Sequence, residues 1–190
     1  MKSVTLNVPT GLAKEFAEEM IELCKKYEVA TDGLKSLLPV TERIKTFEDA
    51  REALGDEHPF VKEYWSVVNV DLDITQDLIA YLKLRIIVAA LNEGWEPEFI
   101  TDEYRWYPWF LLYTQKEIDR MNDEERGRVL GRSYIIANAN AGVAFSYADY
   151  ASSNSYTYNG ARLCFKTEEL AEYAGTQFLK EWSDFMGFTK

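Results

Sequence analysis

Histidine occurs once in this chain of 190 residues, at His58, and cysteine twice, at Cys24 and Cys164. A zinc site built from several imidazoles is therefore excluded, as is any Ser-His triad that does not use His58. The two thiols are too few and too far apart for a disulfide framework. The N-terminus, Met1-Lys2-Ser3-Val4-Thr5-Leu6-Asn7-Val8, lacks the long apolar stretch of a signal peptide, so both read as buried thiols in a reducing compartment. No glycine-rich phosphate loop is present, since Gly127 and Gly131 flank ordinary polar residues. Positive charge is also scarce. Lys and Arg number 21 against 32 Asp and Glu, a net charge of −11, and no segment is strongly basic. Bulk binding to nucleic acid or to an anionic membrane is not expected of such a chain. The longest apolar stretch, Leu78 to Leu91, is interrupted by Lys83 and Arg85, so no membrane span is expected.

What is present is a chain with 47% hydrophobic residues, enough for one sizeable core. Val4, Leu6 and Val8 alternate with polar residues and predict a short strand. Thr10 is the expected cap of a helix with Leu12, Phe16, Met20, Leu23 and Tyr27 along one face. A strand ending in proline before an amphipathic helix is how ribbon-helix-helix DNA binders open, but no second helix follows cleanly and the region is acidic. Thr46 should cap a helix from Phe47 to Leu54 that stops at Gly55, and His58-Pro59 should start another, with Pro59 at the first position. Asp73 is the expected cap of the longest helix, Ile74 to Asn92, ended by Gly94. Its apolar positions cover more than a stripe, which places it centrally. Thr114 to Glu117 has capping-box spacing and predicts a polar helix to about Asn122 or beyond. Ser133 to Tyr150 reads as strand, and Asn159-Gly160 as a hairpin turn before Leu163-Cys164-Phe165. Thr167 should cap a final helix carrying Leu170, Ala174, Phe178, Trp182 and Phe185.

The expected architecture is α+β: N-terminal helices, then an antiparallel sheet with a C-terminal helix packed on it. We read residues 1–190 as a single domain, with 1–40 as an N-terminal strand-helix extension, 41–94 helical, and 95–190 the sheet plus C-terminal helix.

Four constellations invite chemistry, and each has a plainer reading. Val67 to Thr75 matches an apolar run followed by Asp71-x-Asp73-x-Thr75, the nucleophile pattern of haloacid-dehalogenase-type phosphatases. No later Asp-Asp pair exists, and a helix cap at Asp73 explains the same residues. His58 before proline is a helix-entry residue. Cys24 has core spacing on a helix, and Cys164 is expected in a strand. Glu98, Asp102 and Glu103 lie among aromatics, where a sugar could stack beside a general acid; carboxylates beside aromatics are commonly a solvated rim.

The aromatics exceed background. Between Trp95 and Tyr113 there are eight in 19 residues, joined by Tyr147, Tyr150, Tyr156 and Tyr158. They could form the core of a modest sheet or leave a surface on which a protein, a glycan or bases would stack. Trp106, Trp109 and Tyr104 are the first binding candidates, as alternate positions of an extended segment share a face. Pro108 confines this segment to an edge strand or extended turn, and leaves the isomer of the Tyr107–Pro108 bond open.

Several phrases carry a resemblance: Glu42 to Ala50, Ala90-Leu91-Asn92-Glu93-Gly94-Trp95, Tyr107-Pro108-Trp109-Phe110, and Arg162-Leu163-Cys164-Phe165-Lys166-Thr167 continuing to Gly175. Over about residues 41 to 186 the chain resembles a family of uncharacterised small proteins from gut bacteria, prophages and other mobile elements. The resemblance implies a bacterial cytoplasm, or a virion, and brings no catalytic residues with it. The expected function is a non-enzymatic binding or interaction protein using the aromatic sheet region. A protein partner or self-association is favoured, and a neutral glycan is a further candidate; no cofactor or metal is expected. The alternative is a small carboxylate-based hydrolase acting on a glycan or phosphate.

Overall fold

A computed structural model of the chain describes residues 7–27, 34, 36–70, 74–98, 100, 102–130, 142–152 and 163–187. They fall into two compact units, Met1–Lys45 and Thr46–Lys190.

In the first unit a 3₁₀ turn, Thr10–Leu12, leads into helix α1, Ala13–Lys26. Thr10 is not the cap: Leu12 donates its N–H to the Pro9 carbonyl, and the α-helix begins only at Ala13. The predicted stripe is also rotated, because Leu12, Leu23 and Tyr27 are exposed whereas Ala17 is buried. A short helix α2, Val40–Arg43, follows Pro39, and Lys14 of α1 pairs with Glu42 of α2. The strand expected at Val4 to Val8 falls largely outside the described residues.

The second unit opens with α3, Phe47–Leu54, α4, Pro59–Val68, and α5, Gln76–Asn92. Thr46 and Asp49 form the capping box of α3, and Gly55, at φ 79°, ends it in a conformation that only glycine adopts freely. His58 caps α4 by accepting the Phe60 N–H on Nδ1. Helix α5 begins at Gln76 after Thr75 rather than at Ile74, and Asp73 lies outside the described residues. It is buried on most sides, with Leu82, Leu84, Ile86, Ile87 and Leu91 all inside, as its near-continuous apolar surface requires. Helices α3 and α4 pack against it.

Strand β1, Tyr104–Tyr113, pairs antiparallel with β2, Gly142–Ser152. Between them, Thr114 and Glu117 box the short helix α6, Gln115–Ile118, and Asn122 and Glu125 box a separate helix α7, Asp123–Gly127. The single polar helix expected here is thus two, because Asn122 accepts the Glu125 N–H and starts a new one. Strand β2 runs on to Ser152, where a loop was expected; residues 133–141 and the Asn159-Gly160 turn lie outside the described residues. Cys164 is not in a strand. Only its neighbour Phe165 makes a bridge, to Trp106.

The C-terminal helix is also two, α8, Glu168–Gln177, and α9, Leu179–Phe185, with Thr167 accepting the Leu170 N–H. At 3.6 residues per turn, a four-residue spacing drifts by about 40° per step around a straight helix. The break at Phe178 keeps Leu170, Ala174, Phe178 and Trp182 buried despite that drift. Helix α8 lies on both strands and α9 packs on α5. The fold is α+β, with helices before a sheet that is two-stranded and antiparallel among the described residues, and helices after it.

Candidate functional site

Successive side chains of a strand point to opposite faces. On β1, Tyr104, Trp106, Pro108 and Phe110 share the face on which α8 lies. Gly175 of α8 comes so close there that a Cβ would sit 2.8 Å from Pro108 Cβ and 2.3 Å from Phe145 Cδ2. Arg105, Tyr107, Trp109 and Leu111 occupy the other face. Trp109 is an odd number of positions from Tyr104 and Trp106, so it does not share their face, contrary to the expectation for this trio.

The structure divides the three candidates accordingly. Tyr104 and Trp106 both pack on Tyr150, with ring centroids 4.6 and 5.0 Å apart. Tyr104 is exposed and Trp106 half-buried. Trp109 stacks on its cross-strand partner Tyr147, the rings parallel within 1° and 6.0 Å apart. Both are open to solvent, at 44% and 49%, and Leu111 beside them is exposed as well. Leu111 went unnoticed in sequence because aliphatic residues in a strand read as core.

Pro108 fits this strand for a reason of parity. Trp106 donates its N–H to the Phe165 carbonyl (3.0 Å) and accepts the Phe165 N–H (2.9 Å), so its backbone polar groups point away from β2. Pro108, two residues on, points the same way, and its missing N–H costs the β1–β2 ladder nothing. The Tyr107–Pro108 bond is trans. A one-residue bulge at Ser146, between the Trp109–Tyr147 and Phe110–Phe145 pairs, puts Phe145 back on the helix face.

At the covered end of the odd face, Tyr107 and Arg105 are buried near Cys164. Burial pushes the Cys164 thiol up to about 11, against the opposing pull of Arg105 and of a hydrogen bond from Tyr107. Such a thiol is a packing element and no nucleophile at neutral pH. The segment is pinned by Asn92 at the end of α5, whose Nδ2 donates to the Cys164 carbonyl (2.8 Å) and whose Oδ1 accepts the Lys166 N–H (3.1 Å).

Two recesses flank the sheet. The first, of about 440 Å³, is lined by Tyr107, Pro108, Trp109, Phe110 and Leu112 of β1, by Asp149 and Tyr150 of β2, and by Trp182, Phe185 and Met186. Trp182 is 2% exposed, and its Nε1 is buried with no hydrogen-bond partner among the described residues. The second, of about 510 Å³, lies beside α6 and α7 and contains Glu117 and Glu125. Both carboxylates are engaged as capping acceptors. The Thr114 N–H and hydroxyl hold Glu117 below the usual carboxylate range, the wrong direction for a general acid.

Glu98, Asp102 and Glu103 line neither recess. His58 is spent as a helix cap. Among the described residues no group of three or more His, Cys, Asp or Glu is placed to hold a metal ion, and no helix is long and apolar enough to cross a membrane. No protein-family model matches the chain, and no curated protein or solved structure is found similar to it.

Proposed function

We propose that the protein is a non-enzymatic binding protein whose contact surface is the open face of the β1–β2 sheet, with a second copy of the chain as its simplest partner. The observation that carries this reading is the exposed, parallel Trp109–Tyr147 stack with Leu111 beside it. Rigid aromatics of this kind contribute large contact area at little entropic cost, and tryptophan and tyrosine dominate interface energetics. Carboxylate chemistry finds no comparable support, since the paired glutamates of the second recess are tied into helix caps. A bacterial or phage setting, in the cytoplasm or a virion, follows from the resemblance of residues 41 to 186.

Sedimentation velocity over a concentration series tests the proposal. Self-association should weaken at least tenfold in Trp109→Ala, the loss of roughly 1.4 kcal/mol expected for one aromatic anchor. A wild-type chain that stays monomeric to about millimolar concentration would overturn the homotypic partner. Retention on a neutral glycan, lost in Trp109→Ala, would reassign the same surface to a sugar.

A further inference from the structure

Strand β1 is paired with β2 along its whole length on one edge, and on the other edge only in part. The backbone polar groups of successive strand residues point alternately to one neighbour and to the other. Trp106 is bonded to Phe165, so Trp106, Pro108, Phe110 and Leu112 turn their groups away from β2, while Trp109 and Leu111 turn theirs towards it. The far side of the ladder gives the same parity. Val143, opposite Leu112, exchanges its backbone bonds with Leu130 (2.7 and 2.8 Å) and not with β1. Beyond Pro108 nothing among the described residues bonds the N–H and C=O of Phe110 and Leu112.

A bare edge invites another strand, and natural chains usually blunt it with charge, proline or a covering segment. Here Phe165 and Pro108 protect only the first half of the edge. No charged residue occurs from Trp106 to Tyr113, and Leu111 and Leu112 are 47% and 55% exposed. Two copies that each carry −11 repel one another over most of their surface, so an uncharged stretch is where they can meet.

The edge is also self-complementary, in one register. In antiparallel pairing of two copies of β1, a two-fold axis at Leu111 sets Phe110 of each copy against Leu112 of the other. Every N–H and C=O of those residues then finds a partner. An axis at Phe110 sets Leu112 against Pro108, which has no N–H for the Leu112 carbonyl. An axis at Leu112 sets Phe110 against Thr114, whose N–H is already held by Glu117 (2.7 Å).

We propose that the protein self-associates by joining the free edge of β1 to that of a second copy, antiparallel about a two-fold axis at Leu111, so that the two sheets become one. The join brings Leu111 of the two copies together and puts Tyr113 of each beside Trp109 of the other, extending the Trp109–Tyr147 stack. On the opposite face, Leu112 of the second copy lies beside Phe110, at the mouth of the recess that Phe110 and Leu112 help to line. The inference rests on the self-association proposed above and gives it a geometry, edge to edge.

Hydrogen exchange followed by NMR on the wild-type chain tests it, below and above the concentration at which sedimentation velocity detects association. The Phe110 and Leu112 amides should exchange fast in the monomer and slow by roughly tenfold or more on association, while those of Trp109 and Leu111, bonded to β2, are slow in both states. Leu112→Pro removes an N–H that the β1–β2 ladder does not use, so the sheet survives. Compared with Leu112→Ala, which loses the side chain but keeps the N–H, it should weaken association roughly thirtyfold, the effect of one bond lost from each copy. In a Cys24→Ser background, Leu111→Cys should form an intermolecular disulfide on mild oxidation, because an axial pair of this kind lies about 4.5 Å apart between Cα atoms; Tyr113→Cys should not.

Association that Trp109→Ala weakens, with Leu112→Pro matching Leu112→Ala and both edge amides still fast, would overturn the edge geometry and leave the open face as the interface. Slow exchange of both amides in the monomer would also overturn it, since the edge would then be filled from within the chain. Absence of any association would overturn the edge pairing and the proposed homotypic partner together.

Discussion

Replacing Gly175 by alanine sets two opposing effects against each other, and the structure decides which wins. Gly175 lies inside α8, where Gly→Ala ordinarily stabilises by about 1 kcal/mol through helix propensity. The added Cβ would lie 2.3 and 2.6 Å from Cδ2 and Cε2 of Phe145 and 2.8 Å from Cβ of Pro108. Real contacts of that length do not occur, so the helix must lift from the sheet or the ring must leave its place. Overpacking of this kind costs about 1–3 kcal/mol. With contacts this short the cost falls in the upper part of that range, so Gly175→Ala should be net destabilising by about 1–2 kcal/mol, which lowers Tm by roughly 2–8 °C in a protein of this size. Tryptophan fluorescence in a urea titration is the suitable assay, since all five tryptophans lie in the Thr46–Lys190 unit and report on it alone. Gly127→Ala is the control. Its Cβ would meet nothing within 4 Å, so the variant should match or slightly exceed the wild type. In a Phe145→Ala background the penalty of Gly175→Ala should fall by at least half, with the remainder due to Pro108. Wild-type stability in Gly175→Ala, or an unchanged penalty without the Phe145 ring, would refute the close-approach argument.

Three further outcomes are expected. Asn92→Leu strands the Cys164 carbonyl and the Lys166 N–H and should cost about 2–4 kcal/mol in urea titration, whereas a loss under about 0.5 kcal/mol would show that neither bond matters. At pH 8 a thiol with a pKa near 11 is ionised in roughly one molecule in a thousand, so a disulfide reagent should modify half-exposed Cys24 quickly and Cys164 only on unfolding; equal native rates would contradict this. Burial, opposed by Lys83 and Lys180 and aided by Asp184, raises the Glu181 carboxyl above its ordinary value. The folded state therefore holds that proton after the unfolded chain has lost it. This contribution to stability declines as pH rises from the ordinary carboxylate value through the folded one. Glu181→Gln should be more stable than the wild type at pH 7 and no more stable at pH 4; a loss at pH 7 would mean that the lysine pairing outweighs burial.

The order of helices and strands was legible wherever a local chemical signal decides it. Thr46, His58-Pro59 and Thr167 each start a helix because a side-chain acceptor or a pre-set φ acts within three residues. Thr10 failed because a 3₁₀ turn intervened, and the break at Phe178 had no Gly or Pro to announce it. The site was half-legible. Aromatic density singled out β1, where Tyr104 and Trp109 are indeed exposed, but the trio Tyr104, Trp106 and Trp109 ignored the period of two, which sends Trp109 to the opposite face. Its pairing with Tyr147 depends on the β1–β2 register, a long-range property. Trp182 looked like one more apolar position on a helical stripe. Only packing reveals that its ring edge faces no acceptor among the described residues.

Asn92 joins positions 72 residues apart, and through it the whole excursion that carries the sheet leaves and re-enters the helical body at one knot. Loop-closure entropy grows only logarithmically, so doubling the length of that excursion would cost about 0.6 kcal/mol. Length can thus be added between the strands at little entropic cost, whereas the strands themselves are held to α8 by the close approach of Gly175 to Pro108 and Phe145.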